Sequence, residues 1–136
     1  MNLTLNVSQE LYFSLIRLPR LLMWERPVER FLSLNKIATL YYYLHEYSYG
    51  RMITFLFKSI AKKTNIIGFQ HGPASLRKMV YMAAKNELSE KADGIQSFPV
   101  PDKVLAEDEF SRDIYLQSGY KDVEVMSQVY RLAYLN

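Results

Sequence analysis

The sequence predicts an α/β fold in which a parallel sheet is flanked by helices. Short runs of apolar, β-branched and aromatic residues alternate with longer runs whose apolar residues recur at helical spacing. Glycine, proline or polar residues follow the short runs, as they do at the carboxyl ends of buried parallel strands. Because alternating strands and helices imply right-handed crossover connections, we expect the strands to pair in parallel.

The amino-terminal part is predicted to be helical. Apolar residues recur at helical spacing from about residue 8 to residue 34. Ser8 is a suitable helix cap, and Pro19 and Pro27 interrupt the pattern. We therefore predict two or three short helices here rather than one long helix.

The remaining elements alternate between strand and helix. Strands are predicted at residues 37–43, 66–69, 103–106 and 123–126. Helices are predicted at residues 50–63 and 108–118, and residues 93–101 are predicted to be an extended loop. Residues 75–91 are also helical in content, with the extent of that helix left open by the polar residues 85–87. The chain is thus divided into a helical segment, residues 1–36, and an α/β region, residues 37–136, within a single domain.

Size and composition limit the class of protein. The 136 residues suffice for one domain, and 49% hydrophobic with 23% charged residues is a globular composition. No apolar run is long enough to span a membrane, and no secretory signal opens the chain. The absence of cysteine excludes disulfides and thiolate metal sites and fits a reducing compartment, so we expect a cytoplasmic location.

The most informative segment is the turn after the second predicted strand, where Gln70, His71, Gly72 and Pro73 follow an apolar run. Ligands of open α/β sheets bind at the carboxyl ends of the strands, which makes His71 the first candidate. Its imidazole could act as a general base toward an acceptor hydroxyl. Alternatively, it could contact a phosphate beside the helix predicted from Ser75, whose free N–H groups favour anions. A histidine that only caps or packs the turn is the structural alternative.

Other candidates surround this turn. His45 and Glu46 end the preceding strand, so a parallel topology brings them to the edge that holds His71. Glu46 could orient His71 or interact with an acceptor hydroxyl, or it could simply be an acidic residue favoured at a helix amino terminus. Arg77 could pair with a phosphate or be an exposed helix arginine. Gly72 could permit a close backbone approach.

No metal or cofactor is predicted. The acidic run of Glu107, Asp108 and Glu109 is interpreted as the first turn of a helix rather than a metal site. The sequence also lacks a glycine-rich phosphate loop. Its pI near 9.0 permits nucleic-acid binding, but no basic stripe with interleaved aromatic residues supports it, so no nucleic-acid partner is expected. The basic residues are compatible with peripheral association at the inner face of a membrane, although scattered solvated charges are the simpler explanation.

Four motifs then occur in a definite order. They are Gly-Phe-Gln-His-Gly-Pro at 68–73, Phe-Pro-Val-Pro-Asp-Lys-Val-Leu at 98–105, Gln-Ser-Gly-Tyr at 117–120 and Val-Glu-Val at 123–125, preceded by Tyr-Leu-His-Glu at 43–46. This series resembles the GT-B glycosyltransferases that build bacterial and archaeal surface polysaccharides, over residues 37–134. Residues 106–108 and 127–131 depart from the pattern of that family, which has a Trp-Gly pair and a Gly-x-Pro-Arg segment there.

The resemblance implies one Rossmann-like half of a two-domain enzyme, corresponding to the latter part of the amino-terminal domain. It implies transfer of a sugar from a nucleotide-sugar donor to a carbohydrate acceptor by an inverting, metal-independent displacement. The catalytic residues would be His71 and Glu46. The substrate-binding residues would be Gln70, Gly72, Ser75, Arg77 and His45.

The donor contacts of that family lie mostly in the second domain, so we expect this chain alone to be weakly active or inactive. The alternative function is a non-catalytic α/β module that binds a partner, such as a separate second GT-B half. Apolar residues at 41–44 and 53–57, if uncovered, would also drive assembly into a homodimer or larger homo-oligomer.

Overall fold

The computed structural model of the chain describes residues 7–43, 45–76, 79–83, 87–88 and 98–127. The described elements are helix α1 (Val7–Leu34), strand β1 (Thr39–Tyr43), helix α2 (Ser48–Ile60), strand β2 (Asn65–Phe69), a 3₁₀ turn (Met79–Tyr81), strand β3 (Lys103–Ala106), helix α3 (Glu109–Gln117) and strand β4 (Val123–Val125). The four strands form one parallel sheet in the order β1-β2-β3-β4. The predicted α/β class, with a Rossmann-like parallel sheet, is confirmed.

The strands lie where the sequence predicts them, within two residues at each end. Lys103–Ala106 matches the prediction, and β1 begins at Thr39 rather than at residue 37. The helix predicted at 50–63 is Ser48–Ile60. The helix predicted at 108–118 is Glu109–Gln117, because Asp108 is its cap: the Asp108 side chain accepts a hydrogen bond from the Ser111 backbone N–H.

The strand order places the helices on one face of the sheet. Each crossover moves one strand further in the same direction, and right-handed connections of this kind bring their helices to the same side. We call this side the helix face. The other side, the open face, is defined by the alternate strand residues Tyr41, Tyr43, Ile67, Phe69, Lys103, Leu105 and Glu124.

Two apolar clusters fill the space between the helix face and the helices. In the first, Leu32 of α1 packs with Leu56 and Phe57 of α2 and with Ile66 of β2. In the second, the buried residues of α3 pack against β3 and the 3₁₀ turn: Tyr81, Val104, Ala106, Ile114, Tyr115 and Tyr120. Burial of these side chains away from water is the main stabilising contribution to the fold.

Helix α1 is continuous over 28 residues, so the prediction of two or three short helices is wrong. Pro19 and Pro27 lie inside it, and Ser8 is a residue of the helix rather than its cap. A proline removes one backbone hydrogen bond and leaves the carbonyl four residues earlier without its partner. Those carbonyls belong to Leu15 and Met23, whose side chains are exposed, so water can replace the missing donor.

The helix predicted at 75–91 is also wrong in the described residues. Met79–Tyr81 is a short 3₁₀ turn, and residues 82–83 have no regular structure. The reason is tertiary: Tyr81 is buried in the second cluster, and its hydroxyl donates a hydrogen bond to the His71 carbonyl at 2.7 Å. Such contacts override local helix propensity. Arg77 lies outside the described residues.

None of the described helices is long and apolar enough to cross a membrane.

Candidate functional site

The carboxyl ends of β1 and β2 are joined by the close approach of His45 to the backbone of Gly68. A Cβ atom at residue 68 would lie 2.4 Å from His45 Cδ2 and 2.9 Å from Pro101 Cγ. Only glycine leaves the space that the imidazole occupies. Packing therefore explains the first glycine of the Gly-Phe-Gln-His-Gly-Pro motif: a larger residue at this position would overlap the His45 ring.

His45 is an uncharged imidazole surrounded by aromatic rings. Its side chain is only 1% exposed and contacts the rings of Tyr42, Tyr115 and Tyr120 at centroid distances of 5.8 to 6.3 Å. Burial lowers the pKa of His45 to about 3, and the positive charge of Arg51 acts in the same direction. His45 Nδ1 has no hydrogen-bond partner among the described residues.

Glu46 is buried beside His45 and lies close to Tyr115. Its Oε1 atom accepts a hydrogen bond from the Tyr115 hydroxyl at 2.6 Å and lies 3.3 Å from His45 Nε2. Burial raises the pKa of Glu46, and this effect outweighs the Tyr115 hydrogen bond and the charges of His71 and Arg51, which lower it. Glu46 Oε2 has no hydrogen-bond partner among the described residues.

Arg51 fixes the segment that carries these two residues. Its Nε atom donates a hydrogen bond to the Glu46 carbonyl at 2.5 Å. Its guanidinium lies 3.6 Å from the centre of the Phe98 ring, a cation–π distance. Arg51 thereby links the end of β1, helix α2 and the segment that leads into β3.

Gln70 is committed to hydrogen bonds within the chain. Its Nε2 atom donates to the Gly72 carbonyl at 2.9 Å and to Ser111 Oγ at 3.0 Å, and its Oε1 atom accepts from the Glu107 N–H at 2.9 Å. The side chain is 1% exposed. Gln70 therefore ties the turn after β2 to the start of α3, and its role in substrate binding stays a prediction.

The turn that carries His71 is held at several points. Gly72 has a φ of 81°, its N–H donates to Glu107 Oε1 at 3.1 Å, and its carbonyl accepts from Gln70. The His71 carbonyl is bonded by Tyr81, as described above. The His71 imidazole itself is exposed and meets the Tyr43 ring edge-on at 5.9 Å. The result is an accessible imidazole on a firmly positioned backbone.

The structure brings most of the predicted site residues to one edge. His45, Glu46 and Gln70 are buried together with Ser111 and Tyr115, and we call these five residues the edge cluster. His71 and Gly72 lie in the adjoining turn. Ser75 follows in irregular backbone, half-buried, and Arg77 lies outside the described residues.

The geometry separates the two roles considered for His71. No helix begins at Ser75 in the described residues, so the anion site expected at a helix amino terminus is not formed there. The Gly72 N–H is already occupied by the Glu107 carboxylate, which would repel a phosphate. The accessible imidazole thus fits a general base better than a phosphate contact.

Three members of this region were not predicted from the sequence as site residues: Ser111, Tyr115 and Tyr120. Ser111 and Tyr115 are spaced i, i+4, which places them on one face of α3. That spacing was the available signal, but it indicates only a buried face. Burial raises the pKa of Tyr120 to about 12, so its hydroxyl stays protonated.

The acidic run at 107–109 was predicted to form the first turn of a helix, and this is correct for Glu109 alone, since Asp108 is the cap and Glu107 precedes α3 and accepts a hydrogen bond from the Gly72 N–H. Asp108 caps the helix, and Glu109 forms an ion pair with Arg112 one turn later. Among the described residues, no group of three or more His, Asp or Glu side chains is placed to hold a metal ion.

Comparisons of the chain with protein-family models, with curated proteins and with solved structures found no match. The functional argument therefore depends on the geometry of the site.

Proposed function

We propose that this chain is a Rossmann-like domain of a GT-B-like glycosyltransferase for surface polysaccharide synthesis, working in the cytoplasm or at the inner face of the membrane. The observation that carries the proposal is the accessible His71 imidazole on a turn that Gln70, Tyr81 and Glu107 hold in place. The turn lies at the carboxyl edge of a parallel sheet, which is where such folds bind their ligands.

In the proposed reaction, a carbohydrate hydroxyl approaches His71 and gives its proton to the imidazole as its oxygen attacks the anomeric carbon of the donor sugar. The bond from that carbon to the donor phosphate breaks, and the nucleotide leaves with the bonding electron pair. The attack occurs from the side opposite the leaving group, so the configuration is inverted. The nucleotide would be held largely by a second GT-B half.

The other predicted site residues divide by burial. Glu46 is 2% exposed, so it positions the edge rather than touching an acceptor, through its hydrogen bond from Tyr115. His45 also has a positioning role, because its ring fills the space that a side chain at residue 68 would occupy. Gly72 and Ser75 are the predicted binding residues that are partly accessible.

A donor assay on two variants tests this proposal. Release of nucleotide from a panel of nucleotide sugars, with oligosaccharide acceptors present, is measured together with the shift in melting temperature that each donor causes. Removing a general base costs about 10²- to 10⁴-fold in rate. We therefore expect His71→Ala to lose at least about 10²-fold of the slow turnover. The matched control is Lys62→Ala, an exposed residue in the loop before β2, at the opposite edge of the sheet.

Two results decide between the candidates. If no donor changes the melting temperature and no nucleotide is released, the chain is not a stand-alone enzyme, and a fragment of a larger enzyme or a partner-binding module remains. If turnover is present and His71→Ala retains it, His71 is not the base.

A non-catalytic partner-binding module is the second candidate, and the open face of the sheet favours it. Tyr41 and Tyr43 are 59% and 49% exposed there, although parallel sheets are ordinarily covered on both faces. For this function, charge introduced at Tyr41 would abolish assembly, whereas His71→Ala would leave it unchanged. Copurification of the two variants with their partner separates the two candidates.

A further inference from the structure

The open face is apolar over β1 and β2, where Tyr41 and Tyr43 are exposed, although Ile67 between them and β3 is buried. Over β3 and β4 it carries the ion pair of Lys103 and Glu124. Tyr41, Tyr43 and Phe69 form a continuous aromatic row, with ring centroids 5.9 Å and 5.3 Å apart. Leu105 lies beside Phe69 in the sheet register and, with Tyr41 and Phe69, lines a cavity of about 290 Å³. Exposed apolar surfaces of this kind mark interaction sites.

A second apolar surface lies on α1. Its large side chains between residues 11 and 24 point into solvent all around the helix, including Leu11, Tyr12, Leu15, Leu18, Leu22 and Trp24. Leu18, for example, is 52% exposed. The segment also carries exposed Arg17 and Arg20, but most of its remaining surface is apolar, and an apolar helix surface is normally buried.

The same chain therefore carries a sheet face that lacks a helix and an apolar helix that lacks a cover. The dimensions of the two surfaces agree. Residues 11–24 of α1 span about 21 Å at 1.5 Å per residue. The open face is about 19 Å wide for four strands and about 17 Å long for five residues.

Within one molecule, α1 cannot supply this cover. Its carboxyl-terminal part packs on the helix face, where Leu32 joins the cluster of Leu56, Phe57 and Ile66. Because α1 is one helix from Val7 to Leu34, its amino-terminal half continues from that side of the sheet. The open face lies on the opposite side.

We propose that residues 11–24 of α1 from one copy pack on the open face of a second copy, and that the exchange is reciprocal and closes a dimer. Each contact would cover about 300 Å² of sheet and a similar area of helix, from the dimensions above. Two such contacts bury about 1,200 Å², the lower end of the range for stable interfaces. An isologous exchange of this kind leaves neither surface exposed.

The proposed dimer interface differs from the one expected from the sequence, which consisted of residues 41–44 and 53–57. Residues 53–57 were expected to contribute, but Leu56 and Phe57 are buried in the first cluster, so that part of the expectation is wrong. Residues 41–43 are exposed as expected, and Leu44 lies outside the described residues. Helix α1 supplies the second half of the interface.

Oligomeric state is the first test. Sedimentation equilibrium of the full chain should give a dimer, and either Leu18→Glu or Tyr41→Glu should increase its dissociation constant at least about tenfold, because each places a charge in a desolvated contact. Lys62→Glu, an equally exposed residue away from both surfaces, should leave it unchanged. Circular dichroism checks that each variant keeps its fold. A wild-type chain that stays monomeric up to about 100 μM, far above the Kd of ordinary stable complexes, overturns the proposal.

Cross-linking then identifies which surfaces meet, and it is clean because the chain has no cysteine. A tagged Leu18→Cys chain is mixed with an untagged Tyr41→Cys chain and treated with a bis-maleimide, whose reach tolerates uncertainty in register. The expected product joins one chain of each kind. A product made only from two Leu18→Cys chains would indicate helix–helix pairing and overturn the proposal. Neither result depends on nucleotide binding, so failure here is distinguishable from failure of the proposed function.

Discussion

The edge cluster lies where β1 and β2 end, and the aromatic part of the open face is formed by residues of the same two strands, yet the two regions differ in which side chains they bury. Tyr42 and Gly68 face the buried cluster, which holds a histidine and a glutamate, whereas Tyr41, Tyr43 and Phe69 face outward. An ionisable pair is thus buried on one side while two tyrosines are exposed on the other, against the usual tendency. Buried polar groups are costly unless they are satisfied, and exposed aromatic groups favour association. Under the two proposals above, one side of the sheet edge would serve chemistry and the other would bind a second copy of the chain.

The largest loss of stability is expected from a substitution in β2 that disturbs the packing of His45 in the edge cluster. In Gly68→Ala, the new methyl group would overlap the His45 ring and Pro101, and we expect about 3 kcal/mol of lost stability, the upper part of the range for overpacked cores. Urea denaturation measures it. The double variant Gly68→Ala/His45→Ala should recover part of the loss, because the ring that clashes is gone. Equal losses with and without His45 would show that the two residues do not compete for space.

A smaller loss is expected when the hydrogen bond to Glu46 is removed. Tyr115→Phe keeps the ring but leaves a buried carboxyl oxygen without its donor, which costs about 2 kcal/mol. The control is Tyr43→Phe, whose side chain is half exposed on the open face; it should change stability by less than about 0.5 kcal/mol. If both variants lose the same unfolding free energy, the hydrogen bond from Tyr115 to Glu46 does not contribute to stability as proposed.

The pH dependence of stability follows from the two buried groups. The pKa of His45 is about 3 in the folded state, so the unfolded chain binds a proton that the folded chain does not as pH falls from about 6.5 to about 3. Stability contributed by neutral His45 is therefore present above pH 6.5 and lost on acidification, by at most about 1.4 kcal/mol per pH unit.

Glu46 acts in the opposite direction. Its pKa is raised in the folded state, so its contribution is present below about pH 4.5 and is lost as pH rises. The two effects partly cancel above pH 4.5, and His45 acts alone between about pH 3 and 4.5. The stability of wild type should therefore change most steeply in that lower range. In the difference in unfolding free energy between wild type and His45→Gln, the contribution of Glu46 cancels, so this difference should fall steadily from about pH 6.5 to about pH 3. A difference that is independent of pH would contradict the burial of a neutral His45.

The smallest effect on stability is expected from a substitution on the open face. Tyr41→Ser on the open face should change the unfolding free energy of the monomer by less than about 0.5 kcal/mol, since the side chain is exposed. It should nevertheless weaken self-association, because an aromatic anchor is removed from the interface. Denaturation of dilute protein and sedimentation of concentrated protein separate these two quantities. A large loss of monomer stability would mean that the contact of Tyr41 with Phe69 already stabilises the monomer.

The sequence predicted the strands and their common edge because the apolar runs are short and are followed by turn residues. It also predicted helix α3, whose acidic start contains the cap Asp108. It could not predict that α1 continues through Pro19, because water can satisfy the freed carbonyl of an exposed helix. It could not show that Tyr81 is drawn into the core, or that His45 is buried above Gly68, since both depend on contacts between distant segments.

The site residues illustrate the same limit. Position after a strand brought His45, Glu46, Gln70 and His71 to one edge, but it did not distinguish the buried residues from the accessible one. Tyr115 enters the cluster from 69 residues further along the chain than Glu46, through a hydrogen bond that no local pattern predicts. Their catalytic and binding roles remain predictions.

The most direct test of the account uses the fact that the chain has two histidines. Nuclear magnetic resonance of a sample labelled with ¹⁵N-histidine resolves the two imidazoles, which are assigned with His45→Gln and His71→Ala. We predict that His45 stays neutral at pH 5 and is insensitive to ligands, whereas the signals of His71 move when nucleotide sugar and acceptor are added. A His45 that is protonated at pH 5, or a His71 that responds to no donor or acceptor, would contradict the assignment of a buried positioning histidine and an accessible base.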